Sequence, residues 1–295
     1  MSIPMDTIIS KGSDSGSPSF DLTEETLSNF GFYWREQGGV KVLVCRPLEE
    51  NGFANGFSTR LGGVSDFPEN SLNLAGFDED PAHNIFENRR RFLSVFDDRF
   101  TLTTAWQVHG DGVKLVKTRR DAENDEEKFD ALVSNLEDLL VGVKTADCVP
   151  VLIGDRKTRS FASIHAGWRG TSQSIALKAF EKMKNEFGSK PENLICAIGP
   201  AASGRNYEVG QEVIDIFVEK FSTGGKLFSE TRKDHALIDL HLANKEQLLS
   251  IGVPEENIST APFCTMERVD LFFSYRREKK LYGKTGRLLS VIGRM

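Results

Sequence analysis

The spacing of apolar positions switches between two periods along the chain. Residues 40–45 (VKVLVC) and 54–59 read as strands, the second running into the Arg60-Leu61-Gly62-Gly63 turn. Residues 83–96 predict a helix, with Ile85, Phe92 and Phe96 at helical spacing and Glu87, Arg89, Arg90 and Arg91 facing elsewhere. Short strands follow at 102–108, 113–117, 131–134, 139–144, 149–153 and 161–164, separated by Gly, Asp and Asn turns. The period then lengthens: Ala176, Phe180, Met183 and Phe187 share one face of a helix predicted over 171–187, with Thr171 as N-cap and Gly188 as stop. A buried strand at 194–198, helices at 209–221 and 237–251, and closing strands at 258–261 and 271–275 complete the pattern.

Strands and helices come in blocks rather than in βαβ alternation, so the fold class is α+β. No repeat and no linker divides the 295 residues, and a single domain is expected after a polar Gly/Ser-rich tail over residues 1–20. Thirty-nine per cent apolar and 27% charged residues suffice for a core. With 37 Lys and Arg against 43 Asp and Glu, the chain lacks the basic footprint of a nucleic-acid or acidic-lipid binder. Basic stretches at 117–120 and 276–280 are short and balanced by the acidic run at 123–127, so they read as solvated faces. No run approaches the roughly 20 apolar residues of a membrane helix. The first 19 residues lack the apolar block of a secretory signal. Cys45, Cys148, Cys196 and Cys264 are too scattered for a disulfide framework, and a cytoplasmic protein with free thiols is expected.

Three segments place a metal-competent side chain where a strand ends: WQVHG (106–110) with His109, TADCVP (145–150) with Cys148, and IHAGWRG (164–170) with His165. Gly110, Ala146, Ala166 and Gly167 leave room beside them. Two His and one Cys suit Zn²⁺, and three protein ligands with one open position is the catalytic pattern. The spacing is not a compact metal motif, and ordinary roles fit the same residues. Cys148 could be a small core hydrophobe, His109 a turn residue and His165 a satisfied core imidazole. Cys45 and Cys196 sit inside apolar strands and read as core.

From Gly56 onward the chain resembles the YfiH-like family of laccase-domain proteins. The resemblance rests on GFSTRLGGVS (56–65), SLNL (71–74), ENRRRF (87–92), WQVHG (106–110), FDALVS (129–134), TADCVPVLI (145–153), HAGWRGT (165–171), IGP and YEVG (198–210), DL, N, QL and GV (239–253), CT (264–265) and FSYRRE with TGR (273–287). It implies a single-domain α/β/β/α layered sandwich over residues 21–295. It also implies zinc on His109, Cys148 and His165, and phosphorolysis of adenosine, inosine, guanosine and methylthioadenosine, with adenosine deamination as a second activity. Two departures stand out: Phe77 replaces the family's His, and no Cys precedes Tyr207.

Deamination requires an acid for the departing amine, and Asp147 is the nearest carboxyl group in sequence. Phosphorolysis requires cations for phosphate: Arg60 in the glycine turn comes first, then Arg169 and Arg276. Asn73 is a turn or substrate-binding candidate, and Cys264 could close the pocket. The expected partners are purine nucleosides and phosphate, with the protein a monomer or weak homodimer.

Cys148 with His165 or His109 also suits a cysteine-nucleophile hydrolase or amidase acting on a peptidoglycan precursor, a role assigned to some relatives. A non-catalytic binding module would instead leave nucleoside turnover indifferent to His109→Ala. A multicopper oxidase is excluded by arithmetic, because five histidines cannot supply its copper centres. The absence of H-x-E and P-C-x-x-C argues against a cytidine-deaminase zinc site.

Overall fold

The computed structural model describes residues 22–76, 80–123, 127–221 and 224–295. The tail predicted over 1–20 and the Phe77 departure lie outside the described residues. Two six-stranded sheets lie face to face between helices. The first runs Phe32–Gln37, Val40–Cys45, Phe53–Ser58, Leu288–Arg294, Leu139–Thr145, Thr101–Thr103. The second runs Ile258–Thr260, Leu194–Ile198, Val149–Asp155, Phe161–Ala166, Ala131–Ser134, Val113–Val116. Thr101–Thr103 pairs parallel at one edge of the first sheet, and both edge strands of the second also pair parallel.

The layers follow from the two-residue period of strand side chains. In Val149–Asp155, Val151 and Ile153 pack outward on the helices Ile175–Phe187 and Leu240–Ser250, while Leu152 faces the opposing sheet. Phe32, Phe53, Phe57, Val141 and Ile292 meet Leu152, Phe161 and Ile195 between the sheets. On the far side, Val42, Val44, Leu140 and Val291 pack against Phe92 of the helix Ala82–Leu93. Strands covered on both faces read as continuous apolar runs, as these do. The α/β/β/α sandwich expected of the family is the fold observed.

Several elements differ from the sequence reading. The strand predicted over 102–108 ends at Thr103, because side chains and neighbouring loops take the next backbone N–H groups. The helix predicted over 171–187 is two helices, Trp168–Ser172 and Ile175–Phe187, broken where Ser174 adopts φ +60°. Thr171 is therefore buried inside the first helix rather than capping the second, whereas Gly188 does end the second at φ +76°. The helices predicted over 209–221 and 237–251 shorten to Gln211–Lys220 and Leu240–Ser250, each preceded by a short strand. Residues 271–273 are buried without joining a sheet, since the N–H groups of Leu271 and Phe272 turn back to the Arg268 carbonyl. The closing strand is Leu288–Arg294, after a helix Tyr275–Tyr282 that the sequence pattern did not reveal.

Candidate metal centre and cavity

Cys148 sits where the chain crosses between sheets, after Leu139–Thr145 of the first and before Val149–Asp155 of the second. Asp147 makes the turn at φ +83°, so the segment is not extended there. Val149–Asp155 pairs antiparallel with Phe161–Ala166 in a register that sets Pro150 opposite His165. A second ladder pairs Ile164 with Ala131, and the His165 N–H donates to the Asp130 carbonyl at 2.7 Å. Register alone thus brings Cys148, His165 and Asp130 to one end of the second sheet. His109 arrives from the loop before Val113–Val116, at φ +58°.

The donor atoms of His109, Cys148 and His165 all lie within 4.8 Å of one another. Their imidazole rings meet edge to face, with centroids 4.9 Å apart. The fully buried Asp130 organises both histidines. Its Oδ1 accepts from the His109 N–H at 2.9 Å and lies 2.7 Å from His165 Nδ1. Its Oδ2 accepts from the Gly110 N–H at 2.8 Å and the Val108 N–H at 3.2 Å. A carboxylate on Nδ1 leaves Nε2 of His165 as the ligating nitrogen, the usual support of a metal-bound histidine. Gln107 fixes the same loop from the other side, donating to the Lys144 carbonyl at 2.6 Å and accepting from its N–H at 2.7 Å. Gly167 leaves space beside the thiol, since a Cβ there would stand 3.1 Å from Cys148 Sγ and crowd it.

Burial opposes charge on Asp130, yet His165 and the backbone donors hold its carboxyl below the ordinary value. Burial would likewise raise the Cys148 thiol, but His165 and His109 outweigh it and bring it to about 6. Burial disfavours the His165 imidazolium, against which Cys148 and Asp130 raise it to about 9. A thiolate flanked by two imidazoles is a donor set for a divalent ion of intermediate softness. Among the described residues this is the one His, Cys and carboxylate cluster of that kind. The N₂S donors, the carboxylate behind His165 and the space left by Gly167 fit a bound zinc.

The cluster opens on a cavity of about 850 Å³. Asp147, Arg169 and Arg276 line it, as does Arg287 of the TGR motif, which was not among the expected phosphate contacts. Arg169 stacks over Trp168 at 4.3 Å and Arg276 over Tyr207 at 4.7 Å. Both Asp147 oxygens are engaged: Oδ1 accepts from Thr265 Oγ1 at 2.7 Å and Oδ2 from the Arg276 N–H at 2.7 Å. Burial pushes its carboxyl upward against these donors.

Three predicted substrate contacts stand outside the cavity wall. Arg60 is committed to a buried ion pair with Glu278 at 2.9 Å, to the Val269 carbonyl at 2.5 Å and to the Phe273 ring. Asn73 accepts from the Arg287 and Ala75 N–H groups at 2.9 and 3.2 Å, so it fixes the backbone of a lining residue without lining the cavity itself. Cys264 is buried, and its sulfur accepts from the Ser203 N–H at 3.3 Å. Asp130, absent from the predicted set, was signalled by a lone carboxylate just before the apolar run 131–134.

Residues 54–295 match the family described as multi-copper polyphenol oxidoreductase laccase. The purine nucleoside phosphorylase YfiH of Shigella flexneri is 35% identical over 252 residues, covering 85% of this chain and 98% of that protein. The purine nucleoside phosphorylase SA1030 of Staphylococcus aureus strain N315 is 34% identical over 259 residues, covering 85% and 95%. The crystal structure of YlmD from Geobacillus stearothermophilus superposes with a TM-score of 0.81 at 31% identity, over 90% of this chain and 98% of that one. The hypothetical protein YfiH of Bacillus licheniformis gives the same TM-score of 0.81 at 28% identity, over 90% and 99%. With a family match over most of its length and relatives at this identity, the chain belongs to the YfiH-like family of laccase-domain proteins.

Proposed function

We propose that the protein is a zinc-dependent purine nucleoside phosphorylase acting on adenosine, inosine, guanosine and methylthioadenosine, with adenosine deamination as a second activity. The observation that carries this reading is the convergence of His109, Cys148 and His165 on a cavity that also presents Arg169, Arg276 and Arg287. The names of the Shigella and Staphylococcus relatives support the same reaction class. His109, Cys148 and His165 would hold the zinc, which would supply a Lewis acid beside the cavity.

Phosphorolysis forms a bond from a phosphate oxygen to C1′ of the ribose as the C1′–N9 bond breaks. The purine leaves with the electron pair and takes up a proton. Guanidinium forks suit a phosphate held in line with that bond, and Arg169, Arg276 and Arg287 are the groups assigned to it. Asp147 serves by position, since its carboxylate fixes the backbone of Arg276. Asp130 orients His165 and keeps His109 in its left-handed turn. The free cysteines support a cytoplasmic setting. The domain proposed for the activity spans residues 21–295, as a monomer or weak homodimer that needs neither nucleic acid nor membrane. No helix among the described residues is long and apolar enough to cross a membrane.

The family's description names laccases, but only five histidines are present, and His241 donates from Nε2 to the Gly199 carbonyl at 3.0 Å. The reading therefore keeps a single metal position rather than a copper cluster.

Chromatographic product analysis over the four nucleosides tests the proposal. Free base and sugar phosphate should appear only when phosphate is present, and adenosine should yield inosine with or without it. Intact nucleosides under both conditions would contradict it.

A second reading rests on the row Cys148, His165, Asp130, in which a carboxylate holds the far nitrogen of an imidazole beside a thiol. That row suits a cysteine-nucleophile amidase acting on a peptidoglycan precursor. A thiolate bound to zinc is an occupied nucleophile, so near-stoichiometric zinc in freshly purified protein rejects it.

A further inference from the structure

The loop that delivers His109 also carries Trp106, a residue 55% exposed although its backbone is fixed. The Trp106 N–H donates to the Glu127 carbonyl at 3.1 Å, and its carbonyl accepts from the Phe129 N–H at 3.1 Å. The next residues are anchored by Lys144 and Asp130, as described above. A large apolar ring is thus held at the cavity wall by a rigid backbone.

The other two tryptophans have ring partners. Trp34 lies against Phe263 at 5.4 Å and under Lys41 at 5.0 Å, and Trp168 carries Arg169. Tyr275, on the same cavity, has the Arg287 guanidinium 6.0 Å from its ring centre. Among the described residues, the Trp106 indole has no such aromatic or cationic neighbour.

We propose that Trp106 is the platform on which the purine base of the substrate stacks, an inference that rests on the nucleoside reading above. An indole offers a broad π-face to any purine, which fits one site accepting adenine, guanine and hypoxanthine bases. Stacking fixes the plane of the base while leaving its edge groups unread. Trp106 therefore acts on nucleoside affinity and not on phosphate or metal.

The test compares Trp106→Ala and Trp106→Phe with the wild type, each with its zinc content measured. Trp106→Ala should raise KM for inosine on the order of tenfold, with kcat and KM for phosphate within about threefold and zinc unchanged. Trp106→Phe should restore most of the affinity, because a phenyl ring still stacks. Inosine should also quench the tryptophan emission of the wild type, and Trp106→Phe should lose that quench. An unchanged KM in Trp106→Ala overturns the inference, as does a joint loss of zinc, kcat and both KM values. If the wild type turns over no purine nucleoside, the functional reading falls and the quench alone decides. A quench lost in Trp106→Phe upholds the stacking platform, and its absence from the wild type refutes it.

Discussion

Asp130 Oδ1 lies 2.7 Å from His165 Nδ1, and the same carboxylate gathers the N–H groups of Val108, His109 and Gly110. One buried side chain therefore sets the ring of one proposed metal donor and the backbone of the other, although neither histidine is its neighbour in sequence.

Asp130→Asn should expose that dependence. An amide oxygen can keep some of these donors, but its NH₂ group then faces N–H groups that had an acceptor. Outer partners of metal-bound histidines are worth about 10–100-fold in metal affinity. A competition titration with a zinc chelator should show a loss of that size, with far-UV circular dichroism unchanged. Wild-type zinc affinity in the variant would remove Asp130 from the account.

Gly167→Ala should weaken zinc binding through sterics alone. The added methyl would stand 3.1 Å from Cys148 Sγ and 3.5 Å from His109 Cδ2. Overpacking costs about 1–3 kcal/mol, and here the atom that must give way is the Cys148 sulfur, while the His109 contact stays within ordinary van der Waals distance. The same titration reads the effect, and tight zinc binding by a normally folded variant would contradict the crowding described.

Arg60→Ala should act on stability rather than on phosphate. Removing one partner of a buried ion pair leaves Glu278 uncompensated and costs about 3–5 kcal/mol. Denaturant melts should show that loss while KM for phosphate stays near wild type. Arg276→Ala should do the reverse, raising KM for phosphate with little change in stability. A selective rise in phosphate KM for Arg60→Ala would restore it to the site.

His241 should set part of the acid sensitivity. Burial lowers its pKa below the ordinary 6.5, so the folded protein holds the ring neutral. The unfolded chain binds the proton more readily, so this contribution is complete above pH 6.5 and is lost as pH falls below it. His241→Gln, whose amide can still reach the Gly199 carbonyl, should flatten the stability profile between pH 7 and 5. An unaltered slope would show that other groups govern acid unfolding.

Much of the scaffold is legible locally. Val40–Cys45, Ala131–Ser134 and Leu194–Ile198 are strands at the predicted bounds because each is a short apolar run closed by polar or turn residues. The helix Tyr275–Tyr282 buries only Glu278, so no apolar stripe marks it; its one local signal is Ser274, whose hydroxyl caps the Arg277 N–H, and its Asp147 contact is tertiary. Residues 271–273 look like a strand because they are apolar, yet burial alone does not choose a ladder over an irregular path. The clustering of His109, Cys148 and His165 was legible because His and Cys beside small residues are distinctive chemistry. The arginines were legible only in part: Arg169 and Arg276 line the cavity, but Arg60 is claimed by Glu278 and Val269, whereas Arg287 stands on the cavity wall. Nothing near either in sequence separates them.

The most direct measurement is metal content and phosphate-dependent inosine cleavage in Cys148→Ala beside the wild type, with far-UV circular dichroism on both. The account predicts about one zinc per wild-type chain, and loss of most zinc and nearly all cleavage in a folded variant. A folded Cys148→Ala protein that still cleaves inosine at the wild-type rate would contradict it.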